Sequence, residues 1–230
     1  MIKLVSGTSF AQLIMLVSAP ILTRLYDPAA FGVLAVFISS TDLLGVIACL
    51  SYEQAIVLPE EDDRAVNLFG LSILLALSIT LLSIPLFVFG KPIFENVLKM
   101  PEILPYLWLL PISIFSTGCF YAFNYWNTRT KKFGRLAMRR VINSLTAVVV
   151  QVALGLAGWR TSGGLISGYF GGILISTLIL GGEIWRDDHK FILGNLKASA
   201  MLENLKRYRK FPIFNTWSTL LNTASWQMPS

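Results

Sequence analysis

Charged residues are scarce in this chain. Only 14% of its 230 residues are Asp, Glu, Lys or Arg, whereas soluble domains contain about a quarter. The chain also has a single histidine and two cysteines. Cys49 and Cys119 lack the spacing of a metal site, and His189 is interpreted as a solvated side chain of a polar segment. These shortages argue against a disulfide framework and against histidine catalysis, and we expect neither a metal nor a cofactor.

The charges that remain are grouped, which leaves long stretches without any. A membrane-spanning helix needs about 20 predominantly apolar residues, and seven stretches approach or exceed that length. Six of them contain no charge and the seventh contains only Asp42. They are Leu4–Thr23, Pro28–Tyr52, Ala65–Gly90, Ile103–Thr128, Val141–Trp159, Thr161–Gly182 and Phe211–Ser230. The pattern predicts an all-α polytopic membrane helix bundle with six complete transmembrane helices and the start of a seventh.

Lys and Arg are divided unequally between the predicted loops. Of the 19 basic residues, all but Arg24, Lys91, Lys99 and Arg160 fall on one side of the membrane. Because basic loops stay in the cytoplasm, the bias predicts a cytoplasmic N-terminus and places Arg24 at the outer end of the first span. The formal net charge of +6 follows from this bias and does not indicate nucleic-acid binding.

Three segments follow from the same pattern. Residues 1–184 are predicted to form a six-helix transmembrane lobe, 185–210 a basic, amphipathic cytoplasmic linker, and 211–230 the start of a second lobe. Within the sixth span, Gly164, Gly168 and Gly172 recur at a spacing of four. That spacing is typical of a face on which two helices approach closely.

Two charged residues near or inside the spans are candidates for function. Asp42 lies about 3 Å beyond the middle of its span at 1.5 Å per residue, where a carboxylate costs about 2.5 kcal/mol or more. It either lines a cavity and couples an ion, or it is a structural partner of a polar group such as Gln12 or Asn143. Arg24 either grips phosphate oxygens or snorkels at the interface and pairs with Asp27.

A second set of candidates lies at the cytoplasmic side. Glu53 follows the second span and is a candidate to pair with the basic loop between the fourth and fifth spans, closing an inner gate. The alternative is a solvated carboxylate at a helix end. The basic side chains of that loop either gather anionic lipid headgroups at an entrance or only determine topology. They are Arg129, Lys131, Lys132, Arg139 and Arg140.

Several stretches resemble, in order, the bacterial polysaccharide biosynthesis proteins of the O-antigen repeat-unit flippase type, which belong to the multidrug/oligosaccharidyl-lipid/polysaccharide exporter superfamily. PILTRLYDPAAFG at 20–32 and SYEQAIVLP at 51–59 carry the resemblance most specifically. NYWNTRTKKFGRLAMRRV at 124–141 and SGGLISGYFGG at 162–172 add to it. The resemblance covers essentially the whole chain and implies the first half of a protein with two six-helix lobes around a central cavity.

The resemblance also implies a function. A flippase of this type moves an oligosaccharide linked to undecaprenyl pyrophosphate across the bacterial inner membrane by alternating access, for O-antigen, capsule or exopolysaccharide synthesis. Its groove needs cations for the pyrophosphate and polar or aromatic groups for the sugars. Substrate contacts are then expected at Arg24, Asp42 and Gln12, with ion coupling at Asp42 and a gate or entrance at Glu53 and the basic loop.

The expected partners are the lipid-linked oligosaccharide and membrane lipids, together with a polysaccharide polymerase and a chain-length regulator. Enzymatic activity and nucleic-acid binding are not expected. Two alternatives remain open at this point, a multidrug or cation exporter of the same superfamily and a membrane-embedded polysaccharide polymerase.

Overall fold

The computed structural model describes residues 2–89 and 101–227, and helices make up nearly all of this part of the chain. The α-helices of the described ranges are α1 (Ile2–Leu25), α2 (Pro28–Ala48), α3 (Asp62–Phe89), α4 (Leu109–Arg129), α5 (Phe133–Leu156), α6 (Ser162–Asn195), α7 (Ala198–Arg207) and α8 (Thr216–Gln227). Short 3-10 helices at Tyr52–Val57 and Pro101–Tyr106 and a π-helical turn at Phe211–Asn215 connect some of them. Lys91 and Lys99 lie outside the described residues.

Five of the described helices are long and apolar enough to cross a membrane, namely α1, α2, α3, α5 and α6. Helix α4 has 21 residues but is less apolar, and it packs in the interior against α2, α3 and α6. The predicted class is therefore confirmed: the chain is an all-α polytopic membrane helix bundle. We call the end where α2 and α4 finish and α3 and α5 begin the basic end.

The helices pack in the order α1, α5, α6, α4 and α3, each against the next. Helix α2 lies across this row and contacts α4 and α6. A wedge therefore remains between α1 and α2, with α5 and α6 as its floor. Helix α8 also contacts α2, which places the beginning of the next segment beside this wedge-forming helix.

Tyr26 anchors the turn between α1 and α2. Its ring is buried, with 3% of its surface exposed, and its hydroxyl donates a 2.6 Å hydrogen bond to the Gln151 carbonyl of α5. Asp27 is in an extended conformation and Pro28 occupies the first turn of α2, where a missing N–H costs nothing and the fixed φ favours a helix. The geometry of this turn thus comes from tyrosine and proline rather than from Arg24.

The glycine spacing in α6 produces close packing, as predicted. A Cβ on Gly168 would lie 2.4 Å from Gln151 Cγ and 2.7 Å from the Ala147 carbonyl oxygen. A Cβ on Gly172 would lie 2.7 Å from the Asn143 carbonyl oxygen. Because glycine has no side chain to keep the helices apart at these positions, the backbones of α5 and α6 approach each other closely.

A strained turn follows α2 at the basic end. Leu50 and Ser51 have φ values of 49° and 59°, a region that L-residues rarely adopt. The side chains after this turn hold later parts of the chain. Ser51 shares a 3.0 Å hydrogen bond with Thr216, the Tyr52 hydroxyl donates to the Leu205 carbonyl at 2.8 Å, and Gln54 accepts from Asn215 at 3.1 Å.

The long helix α6 extends well beyond the predicted span. The sequence places the end of that span at Gly182, but the helix continues to Asn195. Asp187 and Asp188 lie in this extension and form ion pairs with Lys132 and Arg135 of the preceding loop and helix. Because the side chains of Asp187 and Asp188 are paired, these acidic residues do not end the helix. The separate basic helix α7 begins only at Ala198.

Candidate functional site

The wedge between α1 and α2 contains a cavity of about 280 Å³. Apolar side chains of α1 and α2 form most of its walls, to which α1 adds two hydroxyls, and α5 and α6 contribute the polar groups of its floor. Small-molecule sites are typically apolar concavities with a few placed polar groups, and this cavity has that character. Its polar lining comes from Ser18, Thr23, Asn143, Ser144, Gln151 and Tyr169.

Two opposite charges lie at the end of the wedge nearest the basic end. Asp42 is six residues before the end of α2, and Arg139 is six residues after the start of α5. At 1.5 Å per residue both are therefore about 9 Å inside their helices. Both side chains are half-buried. The structure thus brings together two residues that the sequence assigned to separate roles, Asp42 to the cavity and Arg139 to the entrance.

Aromatic rings surround this pair. The guanidinium carbon of Arg139 lies 3.0 Å from the centroid of the Phe120 ring of α4, a cation–π contact. The charges of Asp42 and Arg139 both act on Tyr121 of α4 and Tyr169 of α6. Tyr169 also lines the cavity, so it joins the cavity to the charged cluster. We call Asp42, Tyr121, Arg139 and Tyr169 the wedge cluster.

The formal charges of the wedge cluster balance, but one of its hydrogen-bond donors has no partner among the described residues. A lone carboxylate or guanidinium at membrane depth is costly, and an opposite charge nearby reduces that cost. The Nε atom of Arg139 is nevertheless buried without a hydrogen-bond partner among the described residues. Aromatic rings, phenolic hydroxyls, a carboxylate and a guanidinium form a polar surface for hydroxyl-rich ligands, and the formal charges of this surface sum to zero.

Gln12 and Arg24 lie apart from this cluster. Both side chains are exposed, and neither lines the cavity. Gln12 lies on the face of α1 that also exposes Leu13 and Leu16. The Arg24–Asp27 ion pair considered from the sequence is not among the ion pairs that the structure describes. Substrate contacts at Gln12 and Arg24 stay predictions, and both residues are accessible for them.

Arg129 has a structural role in the described conformation. Its guanidinium donates hydrogen bonds to the carbonyls of Ile56 and Pro59 at 3.1 and 2.7 Å and to Asp62 at 2.7 Å. Its side chain is only 13% exposed. These bonds hold the segment between α2 and α3 against the end of α4. With a further hydrogen bond to the Glu60 carbonyl at 3.3 Å, Arg129 is committed to four acceptors of the protein itself.

A network of ion pairs links the loop before α5 to the end of α6. The Lys132 ammonium lies 3.4 Å from Asp187 and 3.2 Å from Asp188. Arg135 also pairs with Asp187, and the Trp126 indole donates a 2.9 Å hydrogen bond to Asp188. Of the five basic residues that the sequence assigns to an entrance, this network pairs Lys132.

Lys131 and Arg140 are exposed at the same end. Lys131 occupies the left-handed turn between α4 and α5, with φ of 57°. Arg140 donates a hydrogen bond to the Thr8 hydroxyl of α1. Both remain accessible to anionic groups, so their predicted place at an entrance stays a prediction.

Glu53 is buried rather than solvated. Its exposed fraction is 6%, and its Oε2 atom has no hydrogen-bond partner among the described residues. Burial raises the pKa of Glu53 to about 7, opposed by hydrogen bonds from its own backbone and from Gln54. The predicted ion pair between Glu53 and the basic loop is not formed among the described residues, where Arg129 binds Asp62 instead.

Several participants were missed by the sequence reasoning. Neither Tyr121 nor Tyr169 is among the site residues predicted from the sequence. The acidic residues Asp187 and Asp188 were also overlooked as partners of the basic loop. Tyr169 could have been recognised because it is an aromatic residue within the glycine-rich part of α6. No signal in the sequence pairs residues that lie 50 or more positions apart.

The bundle defines a polytopic membrane protein with a polar, charge-balanced site among its spanning helices. Comparison with known families identifies it further. Residues 21–229 match the model of the polysaccharide biosynthesis protein family, which covers most of the 230 residues, and the chain belongs to that family. No curated protein and no solved structure matches the chain.

Proposed function

We propose that the protein is a flippase for lipid-linked oligosaccharide repeat units, with undecaprenyl pyrophosphate as the lipid carrier. The proposal extends the family's role in polysaccharide biosynthesis to a transport step. The observation that supports it best is the wedge cluster, a polar and aromatic site at membrane depth between spanning helices. In this proposal the bacterial inner membrane holds the protein with its basic end in the cytoplasm, as the positive-inside rule requires.

The physical problem of such a step is the polar head group. Sugar hydroxyls and a pyrophosphate must cross about 30 Å of hydrocarbon while the lipid tail stays in the bilayer. A wedge that is lined by polar groups on its floor provides hydrogen-bond partners along part of that path. Alternating access then requires a second helical bundle that rocks against this one, and the contact between α2 and α8 is a suitable place for that motion.

A cation exporter of the same superfamily is supported less well. A cavity for organic cations should carry net negative charge, but Asp42 shares its site with Arg139. The two opposite charges together favour a ligand that is neutral or that combines neutral and charged parts. A glycan linked to a pyrophosphate combines a neutral, hydroxyl-rich part with an anionic part, and the balanced wedge cluster suits the former.

The test is complementation of a bacterial strain that lacks its own repeat-unit flippase. We expect the full-length protein to restore surface polysaccharide and Arg139→Gln to reduce it about tenfold or more, because every 1.4 kcal/mol of lost interaction is a factor of ten. The matched control is Arg160→Gln, which removes an exposed arginine at the opposite end and should leave export unchanged. Both variants must reach equal levels in the membrane.

Export at the wild-type level by Arg139→Gln would contradict a role of the wedge cluster in transport. Dye efflux or lowered drug susceptibility without restored polysaccharide would favour the cation exporter. Growth of polymer in purified membranes, without any need for export, would favour the polymerase.

A further inference from the structure

The connector between α6 and α8 is fixed firmly to the spanning helices. Asn67 of α3 donates to the Asn195 carbonyl at 3.0 Å and accepts from the Lys197 N–H at 2.7 Å. Asn67 thereby provides hydrogen-bond partners for a carbonyl at the end of α6 and for an N–H just before α7. Helix ends are where backbone groups are otherwise left unpaired. Tyr52 binds the Leu205 carbonyl at the other end of α7.

One face of α7 is docked on the protein. Asn204 is buried, with 4% of its surface exposed, and its amide donates to the Arg64 carbonyl at 3.4 Å. Met201, one turn earlier, lies so near α3 that a Cβ on Gly70 would be 2.6 Å from its Cε atom. Since Met201 and Asn204 are three residues apart, they share one side of the helix, and the orientation of α7 is set by that side.

The next face of α7 exposes leucines. Leu202 is 62% exposed and Leu205 is 36% exposed, and at three residues apart they also share a side. That side lies about a quarter turn from the docked face at 3.6 residues per turn. The neighbouring Leu193 and Leu196 are 59% and 40% exposed. A stripe of exposed leucines thus runs along a connector that is held at the basic end of the bundle.

Cations accompany this apolar stripe. The segment 190–210 contains six Lys and Arg and a single acid, Glu203. Lys206 flanks the leucines, and Arg209 follows two residues beyond the end of α7. Glu203 and Arg207 lie farther around the helix, and all four side chains are exposed. Exposed leucines beside lysine and arginine are the features of a helix that lies in a lipid headgroup region.

We propose that this leucine-and-cation face of α7 lies in the headgroup region of the bilayer leaflet at the basic end and binds anionic phospholipid. The leaflet is the occupant because α7 packs on the end of α3, a helix apolar enough to span the membrane. The connector therefore begins at the level where lipid headgroups begin. The docked face holds α7 to the bundle, the leucines enter the acyl boundary, and Lys206 and Arg209 contact the phosphates.

The depth of the face is tested with nitroxide labels at Leu202→Cys and Glu203→Cys on the full-length protein in nanodiscs. We expect the label at 202 to be relaxed mainly by oxygen, which concentrates in lipid, and the label at 203 mainly by a water-soluble nickel complex. Because both native side chains are exposed, neither label disturbs the packing. Equal access of the nickel complex to both positions would overturn the proposal.

The charge preference is tested by the phospholipid that remains bound when the protein is extracted from discs containing about a third phosphatidylglycerol. We expect Lys206→Gln and Arg209→Gln each to lower the retained phosphatidylglycerol about fivefold relative to phosphatidylcholine. Arg207→Gln is the matched control, since it removes the same charge from the far side of the helix and should change the ratio less than about twofold. Equal losses for all three variants would mean general electrostatics and refute the assigned face.

A protein partner is the competing occupant. If the label at 202 became protected only in cells, and never in discs, the leucine face would bind another protein and the proposal would be wrong.

Discussion

Replacing Glu53 by glutamine should make the protein more stable at neutral and alkaline pH. Glu53 lies in the 3-10 helix after α2, outside the spanning segments, and is almost fully buried. Its pKa is raised from 4.5 to about 7 by burial. The charged form is therefore disfavoured in the folded protein, whereas the unfolded chain ionises with the ordinary pKa.

The sign follows from linkage between protonation and folding. Below pH 4.5 the carboxyl is protonated in both states and costs nothing. Between pH 4.5 and about 7 the unfolded state ionises first, so the folded state loses stability as the pH rises. Above pH 7 the full penalty applies. A difference of about 2.5 pKa units at 1.36 kcal/mol each corresponds to about 3 kcal/mol.

The assay is thermal unfolding in detergent at pH 5 and pH 8, followed by circular dichroism. A gain of about 3 kcal/mol should raise the midpoint of Glu53→Gln at pH 8 by about 6–12 °C in a chain of this size. At pH 5 the gain should fall to about 0.8 kcal/mol, about a quarter of its value at pH 8, because the unfolded chain already ionises above pH 4.5. Glu60→Gln, the same change at an exposed position seven residues later, should follow the wild type at both pH values. An equal effect of Glu53→Gln at pH 5 and pH 8 would refute the assigned ionisation.

Two further predictions concern stability. Gly168→Ala should destabilise the protein by about 1–3 kcal/mol, since the new methyl would overlap α5. Gly171→Ala meets no atom within 4 Å, so it should be neutral or up to about 1 kcal/mol more stable; thermal midpoints in detergent distinguish the two, and equal midpoints would contradict the close packing. Arg129→Met should cost about 2–4 kcal/mol because it leaves three backbone carbonyls without their donor, whereas the exposed Lys131→Met should cost less than about 0.5 kcal/mol. A similar loss for both would mean that Arg129 is not a structural anchor.

The sequence predicts the features that depend on residues close to one another along the chain. Runs of apolar residues set the helices, and the spacing of Gly164, Gly168 and Gly172 predicts the close face of α6. Asp42 is recognisable because a carboxylate within an apolar run is costly. Each of these arguments uses only residues within a few turns of one another, and the structure agrees with them.

The sequence does not predict which distant residues meet. Arg139 is 97 positions from Asp42, and only the crossing of α2 over α4 and α6 brings it to the same site. Glu53 looks like a solvated or gate carboxylate because its own neighbours are polar, but tertiary packing buries it. Lys132 and Arg135 look like an exposed basic patch because their acidic partners come about 50 residues later, on an extension of α6.

The most direct test of the wedge cluster as a cargo site is export by the double variant Asp42→Asn/Arg139→Gln in the complementation assay. If the two charges only compensate each other within the membrane, removing both together leaves no unpaired charge and export should return to the wild-type level. The account predicts a different result: the double variant reaches the membrane in normal amounts but restores about a tenth or less of the surface polysaccharide. Full export by the double variant would contradict it and reduce the cluster to a structural ion pair.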